Sequence, residues 1–232
     1  MRYNFKRYEK KFLINSIQER KLKEIFKKTF FKDSSIKSNK GYYCLSIYFD
    51  DKDMSLMNAK VEGLKDRFKI RLRAYLNQVN DDIKYWNLEI KNKKNSSVIK
   101  KKKKIENKDF ERIMKSQNYN LLFKNIFETT FKFYKPTYVT FYFREAFESK
   151  IFDHCRITID NNILCEKYFP NVLKKISQKR NYILDPRQKL LEVKYSSFLP
   201  NSISEILRSL DLDQITFSKY VDGAIAVQNN NF

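Results

Sequence analysis

The chain has 232 residues and a formal net charge of +21, from 48 Lys+Arg against 27 Asp+Glu. That length buries one good core and suits a single domain over 1–232, and the charge favours a polyanionic partner: nucleic acid, a phosphate chain or an acidic membrane surface. Cys44, Cys155 and Cys165 are odd in number and lack C-x-x-C spacing, which argues against a disulfide framework or zinc site and for a reducing cytoplasm. The N-terminus lacks a signal-like apolar run, and no stretch reaches the roughly 18 apolar residues of a membrane span.

In chain order, Glu9 and Lys11 share one parity while Tyr8, Lys10 and Phe12 alternate with them. Strand side chains alternate between two faces, so this is a strand with charge concentrated on one side. Ser16-x-x-Glu19 reads as a capping box opening a helix over 16–31, whose face carries Ile17, Leu22, Ile25, Phe26 and Phe30. A strand follows at 42–49, then a short helix through Leu56 and Met57 capped by Asp53, and a turn at Gly63.

The basic strand at 65–76 sets Arg67, Lys69, Arg71 and Arg73 against Phe68, Ile70 and Leu72. Four like charges side by side repel one another unless an anion sits on that face. A strand at 86–93 returns antiparallel, with Glu89, Lys91 and Lys93 opposed to Trp86, Leu88 and Ile90. The lysine run at 100–104 reads as a solvated strand end or loop, with Lys101 and Lys103 sharing the parity of Lys91 and Lys93 and one of them feeding the site as the sharper reading.

Two helices are expected from Phe110, Ile113 and Met114 and from Leu121, Leu122, Ile126 and Phe127. Pro136 opens a pair of strands at 137–147 and 150–160, where Arg144 shares a face with Tyr142, and Arg156 and Asp160 alternate with Ile157 and Ile159. The segment 161–186 is weakly patterned. A strand at 188–196 sets Glu192 and Lys194 against Leu191, Val193 and Tyr195. Ser202-x-x-Glu205 reads as a second capping box before Ile203, Ile206, Leu207 and Leu210, and Ser218 caps a last helix bearing Val221, Ala224 and Ile225.

Strands greasy on one face and cationic on the other give an α+β fold in which helices cover the greasy face. Closing the antiparallel sheet into a barrel of about eight strands would turn the charged face into a basic, water-filled lumen and remove exposed edges.

Seven segments, Arg7-Tyr-Glu-Lys-Lys-Phe12, Lys69-Ile-Arg-Leu-Arg73, Leu88-Glu-Ile-Lys91, Phe143-Arg-Glu-Ala-Phe147, Arg156-Ile-Thr-Ile-Asp160, Leu191-Glu-Val-Lys194 and Phe217-Ser-Lys-Tyr-Val221, together resemble the polyphosphate-polymerase domain of the vacuolar transporter chaperone (VTC) family, within the triphosphate tunnel metalloenzymes. The resemblance implies an antiparallel β-tunnel with inward Lys, Arg and Glu, and a metal-dependent enzyme moving the ATP γ-phosphoryl group onto a growing polyphosphate chain. It implies Lys11, Arg71, Arg73, Lys91, Arg144, Arg156, Lys194, Ser218 and Lys219 as phosphate ligands. Among them, Arg71, Arg73 and Arg144 clamp the chain, and Lys194 and Lys219 follow charge as the bond breaks. Glu192 resembles the carboxylate that holds Mn²⁺ or Mg²⁺, with Glu9 and Glu89 as weaker candidates. The Glu-x-Glu-x-Lys start of many tunnel hydrolases is not intact, because Arg7 precedes Glu9 and Lys11.

Other readings stay open at this level. A triphosphatase would use the same cradle, and a non-catalytic polyphosphate or RNA binder would also be basic. Tyr138, Phe141, Tyr142 and Phe143 are core residues or, interleaved with cations, base-stacking platforms. Glu192 is alternatively a structural ion-pair partner, and His154 reads as a strand-edge residue. ATP and polyphosphate are the expected partners, DNA is not, and a membrane-bound partner and the oligomeric state are not written in the sequence.

Overall fold

A computed structural model describes residues 7–32, 41–95, 97–123, 134–149, 155–178, 181–196 and 198–229. Its strands are β1 (Arg7–Ile14), β2 (Phe30–Lys32), β3 (Tyr42–Asp50), β4 (Arg67–Leu76), β5 (Tyr85–Lys94), β6 (Ser97–Glu106), β7 (Lys135–Ser149), β8 (Arg156–Lys167) and β9 (Lys189–Ser196). The helices are α1 (Ser16–Thr29), α2 (Ser55–Val61), α3 (Asn107–Ser116), α4 (Asn120–Phe123), α5 (Val172–Lys175), α6 (Asn201–Ser209) and α7 (Val221–Asn229), with a 3₁₀ turn at Ile176–Gln178.

The strands form one sheet in the order β1-β9-β8-β7-β3-β4-β5-β6, with β2 pairing β7 off that path. The α+β class and antiparallel pairing agree with the sequence reading. Among the described residues the pairings run from β1 at one end of the ladder to β6 at the other, and they do not include one that closes the sheet into a barrel. The β6 end carries five successive lysines, a common way to keep an edge strand from recruiting further strands.

The chain divides into two compact units. One comprises Met1–Tyr43, Tyr142–Ile163 and Leu184–Phe217. Here the period-two pattern acts as expected: Phe12 pairs with Leu191, which also pairs with Ile159, and all three enter one core with Leu22 and Phe26 of α1 and Ile203 and Leu207 of α6. Burying each such side chain contributes about 1.5–3 kcal/mol. The odd-even rule then sends Lys11, Glu192 and Thr158 to the other face of the same three strands.

The second unit comprises Cys44–Phe141, Leu164–Ile183 and Ser218–Phe232. Ile70 pairs with Ile90 and Leu72 with Leu88, all buried, and Trp86 stacks on Phe110 of α3 at 4.4 Å between ring centroids. Tyr48, Tyr138, Tyr220, Val221 and Ala224 build a further core cluster that seats α7.

Several helix boundaries differ from the sequence reading because another side chain reaches the free amides first. Asn15, not Ser16, caps α1, accepting from Ile17 N and Gln18 N at 2.9 Å, and Gln18 completes the box. Helix α1 stops at Thr29, since Phe30 turns extended and enters β2. Asp53 does not cap α2; the Asp50 carboxylate accepts from Leu56 N and Met57 N at 2.9 Å, and Asp51 from Ser55 N at 2.9 Å. Pro200 occupies the cap of α6 with no side-chain bond, leaving Ser202 inside the first turn. Ser218 does meet the start of α7: its Oγ accepts from Val221 N at 3.4 Å and its N–H donates to Asp222 at 2.6 Å. Ile126, Phe127 and His154 lie outside the described residues.

Candidate functional site

In the first unit, the polar face gathers Lys11 from β1, Arg144 from β7, Arg156, Thr158 and Asp160 from β8, and Glu192 and Lys194 from β9. Asp160 is fully buried and grips the Arg144 fork in a bidentate pair, Nε to Oδ1 at 2.6 Å and Nη2 to Oδ2 at 2.7 Å. That pairing fixes the guanidinium plane, and Arg144 also lies over the Tyr142 ring at 5.2 Å.

Glu192, itself buried, stands among three cations: Lys194 Nζ at 3.0 Å, Arg144 Nη2 at 3.6 Å and Lys11 Nζ at 3.9 Å. Lys11 further donates to the Phe217 carbonyl at 2.6 Å and meets Glu9 at 3.1 Å. Burial pushes the Lys11 ammonium down, but Glu192 and Glu9 outweigh it and hold it above the usual lysine range. Burial likewise pushes Glu9 up, and Lys194 and Lys11 bring it below the usual carboxylate range. Arg156 sits 3.9 Å from Glu148 and 3.4 Å from the Tyr42 hydroxyl. Charge on this face is close to balanced.

The second unit is different. Across β4, β5 and β6 the pairings align Arg67 with Lys93, Lys69 with Lys91 and Lys100, Arg71 with Glu89 and Lys102, and Arg73 with Asn87 and Lys104. These four rows hold nine cations and a single carboxylate, Glu89. Glu89 is buried beneath them, bonded by Arg71 Nε at 2.7 Å and Lys100 Nζ at 2.8 Å, with Lys102 Nζ at 3.6 Å. Burial raises its pKa, yet Arg71 and Arg73 reverse that and drive it far below the ordinary range. Lys100 is lowered to about 8, by burial first and then by Arg71 and Lys102 against the pull of Glu89.

Elsewhere in that unit, Arg73 donates to Ser46 Oγ at 3.1 Å. Lys69 reaches Ser218 Oγ at 3.2 Å and lies 5.4 Å from the ring centroids of both Tyr48 and Tyr220. Lys219 is buried beside Ser218, whereas Lys91 is exposed. The Tyr220 hydroxyl donates to the buried Asp50 carboxylate, fixing the segment that carries Ser218 and Lys219.

The structure thus brings Lys11, Arg144, Lys194 and Glu192 into direct contact in one unit, with Arg156 opposite Lys194 on the paired strand. It places Arg71, Arg73, Lys91, Ser218 and Lys219 in the other. Sequence parity misassigned the lysine run. Lys100 and Lys102 reach Glu89, whereas Lys101 pairs with Ile90 and Lys103 with Leu88 on the opposite parity. Tyr138, Phe141 and Tyr142 are buried, so they are core rather than base-stacking platforms.

Among the described residues no group of three or more His, Cys, Asp or Glu is placed to hold a metal. The donor chemistry fits a hard divalent ion only in part. Glu192 and Glu9 both flank the Lys11 ammonium, supplying carboxylate oxygens to which phosphate and water oxygens would have to be added. Asp160 is committed to Arg144.

Solved structures with a similar course of chain include a candidate adenylyl cyclase of Hippeastrum described by a dominant triphosphatase activity, at TM-score 0.49 and 10% identity over 94% of this chain and 96% of that one. Two crystal forms of the Mimivirus capping-enzyme triphosphatase are also similar, at TM-scores of 0.40 and 0.39 and 12% identity, each over 90% of this chain and 90% and 89% of theirs. No curated protein matches the chain. Among the described residues no helix is long and apolar enough to cross a membrane. The VTC domain profile matches residues 6–228, nearly the whole chain. The chain belongs to the VTC domain family.

Proposed function

We propose that this protein is a metal-dependent polyphosphate polymerase that transfers the ATP γ-phosphoryl group to a growing phosphate chain. The observation that carries the reading is the excess of nine cations over one carboxylate in the four rows of β4, β5 and β6. Aligned like charges destabilise a sheet unless an anion is held against them. A phosphate chain, which carries negative charge on every unit, supplies that anion.

In this reading Arg71 and Arg73 are bidentate phosphate clamps in the second unit, joined by Lys91, Lys100, Lys102, Ser218 and Lys219. Lys11, Arg144, Arg156 and Lys194 are the phosphate ligands of the first. Asp160 pre-orients Arg144, so little side-chain entropy is lost when phosphate arrives. Glu192 and Glu9 would hold Mn²⁺ or Mg²⁺, and such an ion would supply positive charge to neutralise phosphate oxygens. The closed tunnel implied by the family resemblance and the cytoplasmic setting expected from the three cysteines belong to the same proposal.

Phosphoryl transfer asks the protein mainly for positioning and charge neutralisation, so polymerase and triphosphatase share most of the cradle and differ in the nucleophile admitted. The test is a product assay. Purified protein given ATP with Mn²⁺ or Mg²⁺ should yield ADP and phosphate chains that lengthen with time; ADP and orthophosphate alone would replace the polymerase assignment with hydrolysis.

A further inference from the structure

We propose that Thr158 is an additional phosphate-binding residue, its hydroxyl donating to a phosphate oxygen beside Glu192; the inference rests on the phosphate-binding function proposed above. Thr158 is 1% exposed, yet its Oγ1 makes no hydrogen bond among the described residues. Strand parity puts it on the charged face of β8, between Arg156 and Asp160 and directly opposite Glu192 of β9.

Both neighbouring carboxylates are already turned to cations. Asp160 gives its two oxygens to Arg144, and Glu192 directs Oε2 to Lys194 at 3.0 Å and Arg144 at 3.6 Å and Oε1 towards Lys11 at 3.9 Å. A buried hydroxyl without a partner is costly, and valine has nearly the same shape without that cost. Thr158 is a neutral donor on a face where Arg144 and Lys194 already meet Glu192, its partner across the strands, and where Arg156 precedes it on its own strand, so cations that can hold a phosphate share its surroundings. The hydroxyl would donate a hydrogen bond to a phosphate oxygen, a donor that brings no charge of its own to a balanced face.

The experiment compares wild type, Thr158→Val and Thr158→Ser by melting temperature without ligand and by titration with inorganic tripolyphosphate. Thr158→Val should melt at or above the wild-type temperature and bind tripolyphosphate about tenfold more weakly or worse, the usual effect of losing a hydrogen bond to a charged group. Thr158→Ser should stay within about twofold of wild type in affinity. Equal affinity of Thr158→Val and wild type would overturn the inference while leaving the proposed function standing. So would a lower melting temperature of ligand-free Thr158→Val together with weak binding by Thr158→Ser, because the side chain would then serve the fold. Failure of wild type itself to bind tripolyphosphate would overturn the proposed function, and this inference with it.

Discussion

Replacing Asp160 with asparagine tests whether the Arg144 fork is held by a buried ion pair. Asp160 is fully buried and Arg144 is 5% exposed, and the two bonds between them are 2.6 and 2.7 Å long. Removing one partner of such a pair leaves the buried Arg144 charge facing Glu192 at the longer distance of 3.6 Å, at a cost of about 3–5 kcal/mol. For a chain of this size each kcal/mol lowers the melting temperature by about 2–4 °C, so Asp160→Asn should melt about 6–20 °C lower. The same variant should weaken tripolyphosphate binding, since Arg144 keeps its charge but loses its fixed plane. The double variant Arg144→Met/Asp160→Leu removes both charges and should recover most of the stability while binding stays weak. Thermal unfolding by circular dichroism, paired with titration calorimetry, reads both effects. A single variant melting within about 1 °C of wild type would show that the bidentate pair is not what holds the fork, because the longer contact to Glu192 at 3.6 Å would then suffice.

Lys100 gives a pH prediction. Its folded pKa of about 8 lies below the usual lysine value, so the unfolded chain holds more protons between the two values and stability should rise with pH across that window. Tripolyphosphate affinity should instead fall as pH rises through about 8, where Lys100 loses its charge, and Lys100→Gln should flatten that dependence. Gly41 tests local backbone geometry: at φ +125 its added Cβ would lie 2.6 Å from the Arg144 carbonyl oxygen and 2.6 Å from the Phe143 ring. Gly41→Ala should therefore cost about 1–3 kcal/mol or more, visible as a lower melting temperature, and should disturb the strand that presents Arg144.

The faces of the strands were legible in the sequence because period-two alternation is fixed by backbone geometry alone. Phe12, Ile159 and Leu191 meet in one core, and Arg71 and Glu89 lie on one charged face of β4 and β5, as parity requires. The lysine run was not legible, because parity does not carry across a turn of unknown length. Lys94 pairs with Ser97, leaving two residues between them, and Asn95 at φ 51 begins the turn. A two-residue hairpin flips odd against even, so Lys100 and Lys102, not Lys101 and Lys103, meet Glu89. Caps were missed where a better-placed acceptor took the amides: Asn15 instead of Ser16, and Asp50 and Asp51 instead of Asp53. The Arg144–Asp160 fork joins two strands, and the alternation of Arg144 and Asp160 within each one says nothing of their pairing.

The proposed function requires the face that holds the buried Glu192 to bind phosphate together with a divalent ion. Calorimetric titration of inorganic tripolyphosphate, with and without Mn²⁺ and in wild type and Glu192→Gln, tests it most directly. Wild type should bind in both conditions and more tightly with Mn²⁺, while Glu192→Gln should bind but lose the metal-dependent gain. Absence of binding by wild type, or an undiminished Mn²⁺ effect in Glu192→Gln, would contradict the account.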